Sequence, residues 1–176
     1  MSARIETPRL VLREWTIEDV DDLVDGLNNI EVAKWLLTVP FPYTKKDAED
    51  YIGKRIGLNE KFSFAIQDKQ DGKVIGGIGV SIKEGSFPEL GMWFNANYHG
   101  KGCGTEALRA VAKLCFDTLK VKKLSACYFE DNEISWKMQK KLGFKQTGKK
   151  GEVVCKATGE KKTNVHTVLY KEDFIP

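Results

Sequence analysis

Hydrophobic and polar residues alternate near the start of the chain and then recur at helical spacing. Residues 9–15 alternate as a half-buried strand does, and Pro8 before them favours a position at the edge of a sheet. Apolar residues then recur every three or four positions as far as about Asn28, which predicts an amphipathic helix. Further helical patterns cover residues 32–37 and 44–58. The first third therefore predicts one strand followed by helices.

The middle of the chain changes to strand-like patterns. Residues 62–67 and 74–82 read as strands, and Asp71-Gly72 between them is a hairpin signal. A turn at 84–86 leads to a third strand over residues 89–95, so the three strands predict a meander. The side chains of that third strand alternate, with Leu90, Met92 and Phe94 on one face of the sheet and Glu89, Gly91, Trp93 and Asn95 on the other.

The last part of the chain mixes helices and strands. A glycine-rich run at 99–104 opens into an apolar stripe ending near Lys120, which predicts an amphipathic helix that begins at the run. The patterns beyond it predict, in order, a strand at 124–129, a helix at 132–142 stopped by Gly143, and strands from Phe144 onward and at 165–170. The step from the third strand through a helix to the next strand requires a right-handed parallel crossover. We therefore predict an α/β (α+β) fold in a single domain over residues 1–176, with a mixed, mostly antiparallel sheet of about seven strands flanked by helices.

Composition narrows the class of protein. The chain has 176 residues, 41% hydrophobic and 30% charged, and no apolar run approaches the length that spans a bilayer. The N-terminus has no secretory signal, so we expect a cytoplasmic protein, monomeric or homodimeric, with no membrane association. Four scattered cysteines and two histidines predict no metal site. The balance of 28 basic against 25 acidic residues argues against nucleic-acid binding.

The glycine run has the chemistry of an anion site. Three glycines in five positions, leading into a helix, let backbone amides converge on a diphosphate at the positive end of the helix dipole. A nucleotide P-loop is excluded, because Gly102 stands where Ser or Thr should bind magnesium and Asn95 where the first glycine belongs. The run at 102–107 does satisfy the dinucleotide pattern G-x-G-x-x-A, with Glu130 as a ribose partner, but the antiparallel context argues against that fold. Three classes of ligand bind such loops through a diphosphate: nucleotides at a P-loop, dinucleotides, and coenzyme A as the third.

Four sequence blocks, in order, carry a resemblance that covers nearly the whole chain. They are residues 7–13 (TPRLVLR), 89–94 (ELGMWF), 98–108 (YHGKGCGTEAL), and 132–135 (NEIS) with 141–144 (KLGF). On these blocks the chain resembles the GNAT superfamily of N-acetyltransferases, and within it the RimJ/RimL-like branch of ribosomal-protein N-acetyltransferases. The resemblance implies acetyl-CoA as the acyl-donor substrate and an amine as the acceptor, either a peptide N-terminus or a small amine.

The resemblance also implies which residues hold acetyl-CoA. The loop amides from about Gly100 to Thr105 would bind its pyrophosphate, and the preceding strand would pair with the pantetheine arm. The full set is Met92, Trp93, Phe94, His99, Gly100, Lys101, Gly102, Cys103, Gly104, Thr105 and Asn132.

Two positions depart from the family pattern. His99 replaces the Gln or Arg that commonly heads the loop, which can alter a capping contact without removing the amide cradle. Gln139 stands where many members have the tyrosine that protonates the departing thiolate. In the RimL-like branch a serine takes that role, and Ser135 is at the matching position.

Acyl transfer to an amine needs a polarised thioester carbonyl, a neutral amine and a proton for the departing thiolate. The main-chain N–H of Met92 or Trp93 is the candidate for the carbonyl. Glu89 is the candidate base, directly or through water, and its alternative is an exposed carboxylate at a strand end. Ser135 is the candidate acid, and its alternative is the third residue of a helix capped by Asn132.

Several alternatives stay open at this level. The acceptor can be a peptide N-terminus or a small amine such as a polyamine, an amino-acid derivative or an antibiotic, and a non-catalytic acyl-CoA sensor would keep the loop without the chemistry. Cys103 could act as a nucleophile at a helix N-terminus, or pack under the loop. Four aromatic residues could line an acceptor pocket or belong to the core: Trp35, Phe41, Tyr43 and Trp93.

Overall fold

A computed structural model describes residues 4–57, 62–82 and 87–176 of the chain. Its strands are β1 Ile5–Glu6, β2 Leu10–Arg13, β3 Ser63–Asp68, β4 Val74–Ser81, β5 Glu89–Phe94, β6 Lys123–Phe129, β7 Lys145–Val154 and β8 Lys161–Tyr170. Its α-helices are α1 Val20–Leu27, α2 Ile30–Ala33, α3 Lys45–Gly57, α4 Cys103–Asp117 and α5 Glu133–Lys141. Single 3₁₀ turns occupy Ile17–Asp19, Ala96–Tyr98 and Lys171–Asp173.

The strands of these ranges form one sheet in the order β1-β2-β3-β4-β5-β6-β8-β7. Every neighbouring pair is antiparallel except β5 and β6, which are parallel. The predicted mixed, mostly antiparallel sheet is therefore confirmed, with eight strands where about seven were expected. The additional strand is β1, whose two residues are too few to show a pattern.

Three sequence-based details differ from the structure. The short helix expected over residues 32–37 is α2, which spans Ile30–Ala33 and so ends before Leu36 and Leu37. Pro8 favoured an edge position for β2, but β1 covers that edge, with Ile5 opposite Leu12. The helix expected to reach about Lys120 ends at Asp117, and Lys120 itself has a left-handed backbone with φ 56°. The turn predicted at 84–86 and the last residue of the helix predicted to 58 lie outside the described residues.

Two apolar clusters cover the two faces of the sheet. One packs α4 against the sheet and includes Leu90 and Phe94 of β5. The other packs α1 and α3 against the opposite face and includes Trp93. The alternation predicted for the third strand of the meander is thus confirmed, because consecutive residues of β5 enter different clusters.

The sheet divides between β5 and β6. These strands are in register only at Glu89 with Ser125 and at Leu90 with Ala126. Beyond that point β5 stays paired with β4 as far as Phe94, while β6 follows β8 as far as Phe129. Each strand is held by its outer neighbour, so the two diverge and open a gap in the middle of the sheet.

Arg13, the last residue of β2, forms an ion pair below the sheet surface with Asp19. Both guanidinium nitrogens donate to the carboxylate at 2.8 Å, and the backbone N–H of Thr16 donates to the same carboxylate at 2.8 Å. The Asp19 residue is only 4% exposed. One carboxylate therefore joins β2 to the turn that starts the first helix.

Removing that carboxylate is expected to destabilise the fold strongly. Asp19→Ala leaves the Arg13 charge with only the neutral acceptors Gln67 Oε1 and Glu14 O and leaves the N–H of Thr16 without the carboxylate, so we expect the free energy of unfolding to fall by about 3 kcal/mol. Urea denaturation followed by circular dichroism measures the loss. Asp21→Ala is the control, because the Asp21 side chain is 89% exposed and lies 3.6 Å from Lys45, and this change should cost less than about 0.5 kcal/mol. Equal losses in the two variants would contradict the role of Asp19.

None of the helices in the described ranges is both long and apolar enough to cross a membrane.

Candidate active site

The glycine run forms a backbone cradle at the start of α4. Gly100 and Gly102 have φ of 74° and 80°, a conformation that side chains with a Cβ rarely adopt, and they flank the exposed Lys101. The first hydrogen bond of the helix runs from Glu106 N to Gly102 O at 3.1 Å. The N–H groups of the first turn therefore have no acceptor within the helix and point out of its positive end. This arrangement fits a diphosphate.

The N-terminal segment holds this cradle in place. Arg9 Nη1 donates to Lys101 O at 2.6 Å, and Arg9 Nε donates to Glu106 Oε2 at 2.7 Å. Glu106 Oε1 accepts from Thr7 Oγ1 at 2.6 Å and from the backbone N–H of Arg9 at 2.9 Å. Two of the four sequence blocks are thus joined across about 100 residues of chain, a contact that sequence spacing alone gave no means of finding.

This clamp makes stability depend on pH. Burial opposes ionisation of Glu106, but hydrogen bonds from Thr7 and Arg9 outweigh it and lower the pKa of the carboxyl below its ordinary value of 4.5. A carboxyl with a lowered folded-state pKa stabilises the fold above its ordinary pKa, and the contribution is lost as the pH falls through the folded-state pKa. We therefore expect the melting temperature of wild type to exceed that of Glu106→Gln above about pH 5, with the difference vanishing in more acidic solution. Thermal denaturation across pH tests this.

The control for that series is Glu49→Gln, on the exposed side of α3, which should leave the melting temperature unchanged at every pH. A difference between wild type and Glu106→Gln that stays constant from neutral to acidic pH would show that the carboxylate charge of Glu106 is not what the clamp uses.

A cleft of about 70 Å³ lies where β5 and β6 diverge. Residues of the two strands and of α4 and α5 line it: Leu90, Gly91, Met92, Leu108, Ala126, Cys127, Ser135, Met138 and Gln139. The cleft lies between the strand that ends at the glycine run and the helix that carries Ser135. An extended chain bound by its diphosphate at the run could reach into it.

Strand β5 presents alternate residues to its two neighbours. Asn95 N donates to Ile75 O of the adjoining segment at 2.8 Å, and Trp93 faces Gly77 in the same register, so the N–H of Trp93 belongs to the ladder with β4. Met92 alternates with it and directs its N–H toward β6, which is no longer paired with β5 at that level. Of the two candidate donors for a thioester carbonyl, the structure supports Met92 and not Trp93, whose ring is instead part of the core against α1.

Asn132 and Ser135 begin α5 beside this cleft. Asn132 Oδ1 accepts from the backbone N–H of Ser135 at 3.1 Å, so the predicted cap is confirmed. The cap uses only the amide oxygen, and within the described residues Asn132 Nδ2 has no partner, which leaves it able to donate to a bound molecule. The Ser135 hydroxyl is half-buried, lines the cleft and accepts from Gln139 Nε2 at 3.3 Å.

Glu89 is on the other face of the sheet, where β5 and β6 are still paired. Its half-buried carboxylate lies 3.5 Å from Cys127 Sγ, which donates to Oε1. Burial raises the pKa of the Cys127 thiol, so the sulfur keeps its proton and remains a weak donor to Glu89. Cys127 also lines the cleft, so it connects Glu89 to the cleft. The sequence pattern gave no indication of this role for Cys127.

Three of the predicted cofactor-binding residues have structural contacts beside the glycine run: His99, Phe94 and Cys103. His99 Nε2 lies 2.9 Å from Phe94 O and closes the end of β5 above the glycine run. Phe94 is buried against α4. Cys103 is only 6% exposed, and burial raises the pKa of its thiol, which opposes the thiolate that a nucleophile needs. The packing interpretation of Cys103 is the one the structure supports.

The four aromatic candidates for an acceptor pocket do not act as one group. Tyr43 and Trp93 are buried in the cluster under α1 and α3. Phe41 is 41% exposed, and the ammonium groups of Lys34 and Lys162 each lie 5.4 Å from the centre of the Trp35 ring.

A larger groove of about 680 Å³ borders the outer side of the glycine run. It shares Lys101 and Cys103 with the run, and its lining combines four carboxylates with four cations: Asp22, Asp25, Asp68 and Asp71 with Arg9, Lys69, Lys73 and Lys101. Its formal charges balance, so charge does not favour a diphosphate there, whereas the cleft between β5 and β6 holds Ser135 and is the better candidate for the cofactor arm despite its smaller volume. Across the described ranges, no group of three or more His, Cys, Asp or Glu side chains is arranged to hold a metal ion.

Comparison with known proteins identifies the family. The acetyltransferase (GNAT) domain profile matches residues 9–145. The uncharacterized N-acetyltransferase YnaD of Bacillus subtilis (strain 168) is 30% identical over 146 residues, which cover 82% of this chain and 84% of YnaD. The ribosomal-protein-S5-alanine acetyltransferase of Vibrio fischeri superposes with a TM-score of 0.79 at 21% identity, covering 99% of this chain and 100% of its own. The microcin C7 self-immunity acetyltransferase MccE, solved with acetyl-CoA and AMP, gives a TM-score of 0.78 at 20% identity over 93% of both chains.

The chain therefore belongs to the GNAT family of acetyltransferases. The predicted fold is confirmed, and so is the prediction of an acetyl-CoA-dependent N-acyltransferase. The dinucleotide alternative is excluded, because the strands within the described ranges form a single parallel pair and not the successive parallel units that such a fold requires.

Proposed function

We propose that this enzyme transfers acetyl directly from acetyl-CoA to the α-amine of a protein or peptide N-terminus. One observation carries the proposal: the cleft between β5 and β6 has Ser135 on the α5 side, while Glu89 contacts the cleft residue Cys127 from the opposite face of the sheet. A thioester bound in that cleft would have a proton donor on its sulfur side and a proton acceptor on the side from which an amine can approach.

The acyl transfer would proceed through three groups of the chain. The N–H of Met92 would donate to the thioester oxygen as negative charge develops on it. Glu89 would accept a proton from the attacking amine, directly or through one water, as the new C–N bond forms. The C–S bond then breaks, and Ser135 would pass its proton to the leaving thiolate to give CoA thiol. A proton from solvent would restore the Ser135 hydroxyl, and Glu89 would release to solvent the proton taken from the amine. Gly100, Lys101, Gly102, Gly104 and Thr105 would hold the pyrophosphate, and Asn132 the pantetheine arm.

The choice of acceptor rests on the likeness to ribosomal-protein acetyltransferases. The sequence blocks resemble the RimJ/RimL-like branch, and the Vibrio fischeri protein named for acetylation of ribosomal protein S5 has the same fold over nearly the full length. A small amine is the competing acceptor, and a non-catalytic acyl-CoA sensor is the competing function.

A panel of acceptors separates these possibilities. CoA thiol release from acetyl-CoA is followed with N-terminal peptides of ribosomal proteins, the same peptides with acetylated N-termini, polyamines, amino-acid amides and an aminoglycoside. Mass spectrometry then locates the added acetyl group. Turnover with free but not blocked peptide N-termini supports the proposal. Turnover with small amines alone overturns the acceptor, and acetyl-CoA binding without turnover on any acceptor overturns the enzyme in favour of a sensor.

A further inference from the structure

A buried polar side chain lies beneath the proposed acid. Gln139, at the position where the family commonly has tyrosine, is 4% exposed and lines the cleft. Its Nε2 is 3.3 Å from Ser135 Oγ, and its Oε1 is 2.6 Å from the hydroxyl of Thr167 on β8, which is 1% exposed. The three polar groups form a short chain that runs from β8 to the cleft.

The distances give this chain a direction. A contact of 2.6 Å is the length of an O–H···O bond and shorter than N–H···O bonds usually are. Thr167 therefore donates its one proton to Gln139 Oε1, and its 3.1 Å contact with Ala126 O is the weaker alternative for that proton. With its oxygen facing Thr167, the Gln139 amide presents its NH₂ group to Ser135, which can only accept from it.

Because Ser135 Oγ accepts the hydrogen bond from Gln139, its own proton is free to be donated elsewhere. A serine inside a helix commonly donates to a carbonyl of the preceding turn, which would spend the proton on the backbone. Within the described residues, Ser135 Oγ has no hydrogen-bond partner other than Gln139. The hydroxyl is thus held as an acceptor on its inner side, with its proton available on the side of the cleft.

The backbone position of Gln139 is also well fixed. Its backbone carbonyl accepts from Leu142 N at 3.0 Å and from Phe144 N at 3.2 Å, which anchors the end of α5 to the strand that follows. Thr167 lies in the centre of the β6–β8 pairing, opposite Ala126. The inner two members of the chain of hydrogen bonds, Thr167 and Gln139, are therefore held in the buried core, and Ser135 is the member that faces the cleft.

We propose that Thr167 and Gln139 are positioning residues for the acetyl transfer, which orient the Ser135 hydroxyl so that its proton points at the leaving CoA thiolate. The inference rests on the proposed function, because it takes Ser135 as the acid. It assigns to Gln139 a function different from that of the tyrosine it replaces: it does not protonate the thiolate but sets the direction of a neighbour that does.

The test is a double-mutant cycle on Thr167 and Ser135. Thr167→Val keeps the shape and removes the hydroxyl, so kcat should fall about tenfold while KM for acetyl-CoA stays within about twofold. Thr167→Ser restores the hydroxyl and should restore kcat. In a Ser135→Ala background, Thr167→Val should change kcat by less than about twofold, because the group it positions is gone. Thr163→Val on the same strand is the control and should leave kcat unchanged.

A second route avoids dependence on one buried variant. Gln139→Met keeps an unbranched side chain of similar length and removes the donor to Ser135, and it should lower kcat about as much as Thr167→Val, again with no added effect in Ser135→Ala. Circular dichroism confirms that each variant is folded before its kinetics are compared.

The outcomes separate the two levels of the proposal. Wild-type kcat in Ser135→Ala would overturn the proposed acid and this inference together. A low kcat in Ser135→Ala with wild-type kcat in folded Thr167→Val and Gln139→Met would overturn this inference alone. Losses that multiply in the double variants would also overturn it, because they would show that Thr167 and Gln139 act independently of Ser135.

Discussion

Gly102→Ala is expected to weaken acetyl-CoA binding about tenfold or more. At φ 80° an alanine carries a strain of about 1–2 kcal/mol, and its Cβ would lie 3.2 Å from Arg9 Nη2, in the clamp that holds Lys101 O. The chain relieves this strain by rotating the peptide units on either side of Gly102, and those units carry the amides that face the pyrophosphate. The variant therefore cannot relieve the strain at residue 102 and still keep these amides directed at the pyrophosphate. Isothermal titration with acetyl-CoA measures the loss.

The chain offers a matched control for this experiment. Gly148, on β7, has φ of 82°, and a Cβ there meets nothing within 4 Å. Gly148→Ala imposes the same backbone strain away from the cleft, so it should lower the melting temperature without changing acetyl-CoA affinity. If Gly102→Ala binds acetyl-CoA as tightly as Gly148→Ala does, the amide cradle is not the pyrophosphate site.

Glu89→Gln is expected to lower kcat about 100-fold while acetyl-CoA affinity stays within about twofold. The amide keeps the size of the side chain but cannot take up the proton that the attacking amine must lose. Because Glu89 lies where β5 and β6 are still paired, away from the glycine run, the change should leave the cofactor cradle intact. Steady-state kinetics with a peptide acceptor and titration with acetyl-CoA give the two quantities.

Glu152→Gln is the control for that change, since the Glu152 side chain is 65% exposed and pairs with Lys161 on the neighbouring strand. It should leave kcat unchanged. A Glu89→Gln enzyme that turns over at the wild-type rate would remove Glu89 as the base and would limit its role to the contact with Cys127.

Much of the candidate cofactor site could be predicted from sequence because it is built from local structure. Glycines at 100 and 102 adopt left-handed conformations that few other residues reach, and the apolar stripe after them fixes where α4 begins. The cap of α5 by Asn132 and the stop at Gly143, with φ of 101°, are likewise decided by residues within one turn of each other. Such features depend on short-range sterics and hydrogen bonds, which are determined by residues that are close together in the sequence.

The proposed catalytic arrangement depends on contacts between distant residues. Strand alternation predicts that Glu89 and Leu90 face opposite sides of the sheet, but it does not say that β6 leaves β5 after two residues, which opens the cleft. It also left Met92 and Trp93 as equal candidates, and only the register of β5 against β4 separates them.

The sequence by itself thus determined the fold class, the glycine cradle and the family of the enzyme, since periodicity, backbone preference and ordered motifs act over short stretches of chain. Tertiary structure alone decided that Arg9 and Glu106 hold the cradle, that Cys127 faces Glu89, and that Thr167 meets Gln139. These contacts join residues that are 28 to 97 positions apart. Which of many possible partners a polar side chain meets at such separations is set by how strands pair and diverge, and no local pattern encodes that.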